Sequence, residues 1–366
     1  MSRPNQAKLN LSALRHNVTS VRELAPHSRL MAVVKANAYG HGSLTIAREL
    51  EGQTDALAVA CIEEAVQLRD AGIAGPILLL QGVYDAAELS AAAQLDLWIT
   101  IENEQQLLWL EQATLTQALH CWLKVDTGMN RLGVATARAA EFYRRIQGSK
   151  NTTGDTVLTT HFASADDLDN PQTQQQLDIF NSVPVDAPRS AANSAAVLAW
   201  PQSHYDWVRP GFMLYGNSPL LQEHAVASNL QPVMTLSSAI ISIRDVKPGQ
   251  SVGYAGTWIA SRPSRIATVT IGYGDGYPRA AANGTPVLIR GQRAPLAGRV
   301  SMDMITVDVT ELQNAEIGDE VILWGEGLPL AEVAARSGTI GYELTTRMPA
   351  RTPRVIAEPK EQQPPS

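Results

Sequence analysis

The chain predicts an α/β fold, an N-terminal (β/α)8 barrel followed by a mainly β C-terminal domain. Three observations lead there. Eight short apolar runs recur at 30–35, 56–60, 77–80, 97–100, 121–125, 157–161, 189–193 and 205–209. Most are separated by helix-like segments, the pattern of parallel strands joined by crossovers. Eight is the number that closes such a barrel, and no GxGxxG follows the first run to favour an open dinucleotide-binding sheet. Near Gln231 the texture changes to β-rich runs punctuated by Pro and Gly.

Taken in order, an amphipathic stretch at 12–24 precedes the first strand. Leu30-Met31-Ala32-Val33-Val34 then reads as a buried strand that delivers Lys35 to a turn marked by Gly40 and Gly42. Residues 62–69 and 102–108 are typical of the helical segments between later strands. The second domain opens with the β-rich run 233–243 and the turn 247–250, and continues through runs at 265–271, 286–290, 304–309 and 320–324. The expected domains are 8–230 for the barrel and 231–356 for the β domain, to which the extreme N-terminal strand could also belong. A tail at 357–366, rich in Pro, Gln and Glu, is expected to be disordered.

Composition narrows the function. A length of 366 residues suits two domains, and a formal net charge of -7 with no basic cluster argues against nucleic acid or an anionic membrane as partner. No apolar run approaches a membrane span, and the polar N-terminus has no signal-peptide core. Cys61 and Cys121 stand far apart with no CxxC spacing, which fits structural thiols in a reducing cytoplasm. No metal site is expected.

Barrel active sites sit at the C-terminal ends of the strands. Reading only those ends collects Lys35 and Tyr39 after strand one, the segment from Asp126 to Arg131 at strand five, and His161 at strand six. Asn193 and Ser194 follow at strand seven, and Arg209 with Gly211 at strand eight. A lysine at a buried strand end is costly to keep charged, and a neutral amine there can attack a carbonyl to form a Schiff base. A helix start after strand seven and a glycine after strand eight are where barrels bind phosphate. Schiff-base lysine and phosphate site together suggest pyridoxal 5'-phosphate (PLP). A class I aldolase acting on a sugar phosphate is the competing reading, although it has no need of Arg209.

The segments AVVKANAYGHG, KVDTGMNRLG, HFASAD, WVRPGFMLYG, VGYAGTW, GYGDGYPR and GRVSMDM resemble, in the same order, those of bacterial alanine racemase. The resemblance spans about 8–354. It implies that Lys35 holds PLP and serves as one catalytic base, with Tyr254 as the other. It further implies that Arg209 faces the pyridine nitrogen and that Tyr39, Ser194, Gly211, Phe212 and Tyr342 hold the phosphate, beside Asn193. Arg131, Met302 and Asp303 would bind the substrate carboxylate. His161 would link Tyr254 to Arg209, and Asp166, Tyr273 and Arg279 would line the entrance. Lys124 occupies a place that some family members carbamylate. The family also implies a homodimer with shared active sites, acting on alanine to supply D-alanine for peptidoglycan.

Other functions suit the same residues less well. A noncatalytic PLP-binding barrel would lack the second domain and Tyr254. PLP decarboxylases of basic amino acids share the two-domain plan but pair the pyridine nitrogen with an acidic residue, from which Arg209 departs. A broad-spectrum amino-acid racemase would look similar, but those resembling this chain carry export signals and a disulfide.

Overall fold

The computed structural model describes residues 3–357; residues 358–366 of the expected tail lie outside them. Two compact units divide the described residues, one comprising 15–231 and the other 3–14 with 232–357.

In the first unit, eight parallel strands close on themselves. Arg29–Val33 pairs with Ala56–Val59, and the ring continues through Ile77–Leu79, Leu97–Ile101, Cys121–Asp126, Val157–Thr159, Arg189–Ser190 and Trp207–Val208 before returning to Arg29–Val33. A short ninth strand, Val134–Ala135, pairs outside the ring with Cys121–Asp126. Helices fill the crossovers, among them Ser43–Leu50, Ile62–Asp70, Glu104–Gln112 and Gln172–Ser182. The strands are buried nearly throughout, as a parallel sheet covered on both faces requires. Trp98, Trp122 and Trp207 pack edge to face near the N-terminal ends, with ring centroids 5.6–5.7 Å apart. That apolar cluster leaves the opposite rim for chemistry.

Several strands are shorter than their apolar runs. The first ends at Val33, the sixth at Thr159, the seventh at Ser190 and the eighth at Val208. The ladder nevertheless runs on, since Arg209 N–H donates to Ala192 O (2.9 Å) and Thr160 N–H to Ser190 O (3.0 Å). Rim residues thus leave regular strand geometry while their backbones stay tethered to it.

The second unit is a mainly β structure. Its spine is the 13-residue strand Met234–Val246, which pairs with Gln6–Leu9, Ser264–Val269 and Glu320–Trp324. Register breaks at Leu236/Ser237 and Ile240/Ser242 let one bent strand serve several partners. Pro286–Ile289, Gln292–Pro295, Ile305–Asp308 and Arg354–Ile356 complete the sheet. Ser251–Val252 and Trp258–Ile259 form a separate hairpin around the turn that carries Tyr254.

Candidate active site

The rim of the barrel begins with an unusual backbone. Beyond Val33, the chain turns left-handed over four consecutive non-glycine residues: Ala36 (φ 52°), Asn37 (φ 55°), Ala38 (φ 52°) and Tyr39 (φ 51°). Lys35 therefore opens a left-handed turn, whereas the sequence places it at the end of the strand. Each L-residue in this region costs roughly 1–2 kcal/mol, so the surroundings must over-determine it. They do so with hydrogen bonds. Ala38 N–H donates to Val34 O (2.8 Å), Gly40 N–H to Ala36 O (3.0 Å) and Gly42 N–H to Asn37 O (2.9 Å). The Asn37 side chain accepts from Ser43 N–H (2.8 Å). Glu64 clamps the start of the turn, accepting from Ala36 N–H (2.6 Å) through one oxygen and from Ala60 N–H (2.8 Å) through the other. Because Ala36 is exposed, it isolates backbone strain from packing. Ala36→Val is expected to destabilise the protein by about 1–2 kcal/mol in denaturant unfolding, whereas Ala36→Gly leaves stability equal or higher.

Around Lys35 the rim is cationic. Burial lowers the Lys35 amine pKa, with Arg131 adding to the effect and Glu64 opposing it. Burial, then Arg209 and Arg131, bring Lys124 down to about 8, against the pull of Glu102. His161 is held well below its ordinary value by burial, then by Arg209, Lys124, Arg131 and Lys35. These mutual influences gather five basic residues from four strand ends at one site.

Arg209 is buried, and burial lowers it to about 10. Its guanidinium donates to Ser190 Oγ, to Thr160 O (2.6 Å) and to Ala191 O (3.3 Å). No carboxylate pairs with it among the described residues, so its charge is met only by neutral acceptors. Asp126 is likewise no partner for Arg131, because its Oδ1 accepts from the N–H groups of Gly128, Met129 and Asn130 at 2.9–3.1 Å. Gln176, which the sequence did not single out, ties the rim loops together by donating to Thr127 Oγ1 (3.2 Å) and His161 O (3.0 Å).

Asn193 caps the helix Ser194–Ala199 by accepting from Ala196 N–H at 3.1 Å. Ser194 Oγ collects two backbone donors, Gly211 N–H (2.8 Å) and Met213 N–H (3.3 Å). A Cβ on Gly211 would lie 2.4 Å from the Tyr39 hydroxyl oxygen, so any larger residue there would displace the buried Tyr39 ring. Phe212 begins the short helical turn Phe212–Tyr215. Tyr215 stacks on His41 (centroids 4.5 Å apart), lies near Tyr39 (5.0 Å) and donates to Val33 O (3.0 Å), bracing the Lys35 turn from below. Asp166 lies in the loop after strand six, where its carbonyl accepts from Leu221 N–H (3.0 Å).

The remaining candidates belong to the β-rich unit. Tyr254 stands in an exposed turn at 70% exposure, between Gly253 (φ 75°) and Ala255 (φ 59°). Met302 is 51% exposed. Its carbonyl accepts from Gly274 N–H (2.9 Å) while Tyr273 N–H donates to Ser301 O (3.0 Å). Asp303 pairs with Arg351. Arg279 is exposed, and Tyr342 lies partly buried in the helix Gly341–Thr346.

Comparison with known proteins covers both units. Residues 9–219 match the family model for the alanine racemase N-terminal domain and residues 233–356 that for the C-terminal domain. An alanine racemase of Chromohalobacter salexigens is 50% identical over 356 residues, covering 97% of this chain and 98% of the relative. A biosynthetic alanine racemase of Escherichia coli is 49% identical over 346 residues, covering 94% of this chain and 96% of its own. The crystal structure of the biosynthetic enzyme from Pseudomonas aeruginosa superposes with a TM-score of 0.93 at 46% identity, covering 97% of this chain and 100% of that one. With both halves matched in order and relatives near half-identical along almost their whole length, the chain belongs to the alanine racemase family and is an isomerase.

Proposed function

We propose that the chain interconverts L- and D-alanine with PLP as cofactor, through two bases, Lys35 and Tyr254. The observation that carries this is the cationic rim around Lys35. Lys35, Lys124, Arg131 and Arg209 converge there, and the guanidiniums of Arg131 and Arg209 pair with no carboxylate among the described residues. Such a rim fits a ligand that brings its own negative charge. A phosphate suits the adjoining cradle, where Ser194 Oγ and the Gly211 and Met213 N–H groups that it collects lie together and the Tyr39 ring packs close over Gly211. Ser194, Gly211, Phe212, Tyr39 and Tyr342 would hold the phosphate, Arg209 the pyridine nitrogen, and Lys35 the aldehyde carbon.

When bound, PLP supplies the electron sink that acidifies the substrate's α-proton. The chain supplies orientation and proton transfer. Lys35 Nζ would exchange the α-proton of D-alanine, aided by burial and by Arg131, which favour its neutral form against Glu64. Tyr254 Oη would exchange that of L-alanine from the opposite face. Arg131 and the Met302 peptide N–H would receive the carboxylate, with Asp303 beside them. His161 would connect Tyr254 to Arg209, while Asp166, Tyr273 and Arg279 would select what enters. Tyr254, Met302 and Asp303 would come from the partner in a homodimer, whose two-fold axis builds two identical sites. No helix among the described residues is long and apolar enough to cross a membrane, and a cytoplasmic enzyme supplying D-alanine for peptidoglycan is the proposed role. Relatives named biosynthetic support it. An exchange assay over a panel of amino acids with added PLP tests the substrate. Fast exchange of alanine alone supports this reading, and comparable exchange of larger amino acids would make the enzyme a broad-spectrum racemase.

Lys124 is proposed to carry a carbamate. Its amine, brought to about 8, is far more often neutral near physiological pH than an ordinary lysine. The neutral nitrogen adds to the carbon of carbon dioxide and loses a proton, leaving an anion able to orient Arg131 by a charge-assisted bond. A carbon-13 carbamate signal should appear with labelled bicarbonate, be lost in Lys124→Met, and fade below pH 8 as the amine protonates. Its absence at pH 8 and above would leave Lys124 unmodified.

A further inference from the structure

We propose that Asp275, sealed between Arg3 and Arg351, is a positioning residue that fixes the Met302–Asp303 turn and so aims the peptide N–H that receives the substrate carboxylate. The proposal rests on the reading of Met302 given above.

Asp275 is fully buried, yet its carboxylate is saturated by charge. Its Oδ1 accepts from Arg3 Nη1 (2.8 Å) and forms an ion pair with Arg351 Nε (2.9 Å), and its Oδ2 accepts from Arg3 Nη2 (3.0 Å) and Gly272 N–H (3.0 Å). Both guanidiniums reach onward to the same neighbour. Arg351 pairs with the Asp303 carboxylate, and Arg3 Nη2 donates to the Asp303 carbonyl (3.2 Å). Two arginines and two aspartates thus form a neutral bridge from the Gly272–Asp275 loop to the Met302–Asp303 turn.

The backbones of the two loops are locked together as well. Tyr273 N–H donates to Ser301 O (3.0 Å) and Gly274 N–H to Met302 O (2.9 Å). A Cβ at Gly272 would lie 2.3 Å from Ser301 O and 2.4 Å from Met302 O. Within the turn, Ser301 N–H donates to Met304 O (3.0 Å), while Ser301 Oγ accepts from Met304 N–H (3.1 Å). The turn is therefore held on its carbonyl side and at both ends. The Met302 N–H has no acceptor among the described residues, and Met302 is 51% exposed. A clamp of this cost around an open donor is what preorganised recognition of a carboxylate requires.

The test uses the PLP-loaded enzyme, with KM and kcat for alanine and inhibition by propionate, a carboxylate of substrate size lacking the amine. Breaking one partner of a buried ion pair can unfold a protein, so the half-exposed Arg3 provides a gentler variant than Asp275→Asn. Arg3→Gln is expected to raise KM and the propionate inhibition constant together by about fivefold, with kcat within about twofold, and Arg3→Lys to recover part of the loss. Asp275→Asn should act in the same direction and more strongly wherever it folds. A lowered melting temperature with KM and propionate inhibition unchanged would make the bridge merely structural and overturn the proposal. Met302→Pro, which deletes the N–H, separates the two ideas. Propionate weakened there but not in Arg3→Gln overturns the positioning role alone; propionate unaffected by Met302→Pro overturns the carboxylate reading and the proposal together.

Discussion

Lys35→Ala is expected to lower racemisation by at least about three orders of magnitude, because under the proposed mechanism it would remove both the covalent anchor for the cofactor and one of two bases. Borohydride treatment of the wild-type enzyme should fix the cofactor to the Lys35 peptide, and label on another lysine would overturn that assignment. Mixing inactive Lys35→Ala and Tyr254→Ala chains should restore part of the activity if each site draws on two chains. No recovery despite demonstrated subunit exchange would mean that each site is built from one.

Tyr254→Phe is expected to reduce racemisation by about three orders of magnitude while leaving PLP bound, since only a proton donor and acceptor is lost. Tyr254 is exposed within its unit, so the ring makes little contribution to folding and the variant should unfold like the wild type. A variant that retains most of its racemase activity would remove Tyr254 from the chemistry.

The barrel was legible because its strands are buried on both faces and so read as bare apolar runs such as Ala56–Val59 and Ile77–Leu79. Strand ends were less so. The run to Val34 hides the break at Val33, since the next peptide still bonds to Ala58 O at 2.8 Å. Nothing in the alternation of residues announces that 36–39 turn left-handed; Asn37 tolerates that conformation, but Ala36, Ala38 and Tyr39 give no such hint. Lys35, His161 and Arg209 could be found from their places at strand ends. Tyr254 could not, because a tyrosine in the run Gly253-Tyr254-Ala255-Gly256 reads as an ordinary turn, and only the likeness of the surrounding motif singles it out. In the sequence Glu64 is one more helix carboxylate, although it bridges two loop N–H groups. Asp275 is hidden in the sequence for a different reason. Its partner Arg3 lies 272 residues away, and an ion pair over such a distance leaves no local pattern.

The most direct test of the two-base assignment is solvent deuterium incorporation by PLP-loaded Tyr254→Phe, measured separately from D- and L-alanine. If Lys35 serves the D-face, D-alanine should still exchange its α-proton while L-alanine exchanges far more slowly. Equal exchange from both enantiomers, or faster exchange from L-alanine, would contradict the assignment of Lys35 and Tyr254 to opposite faces.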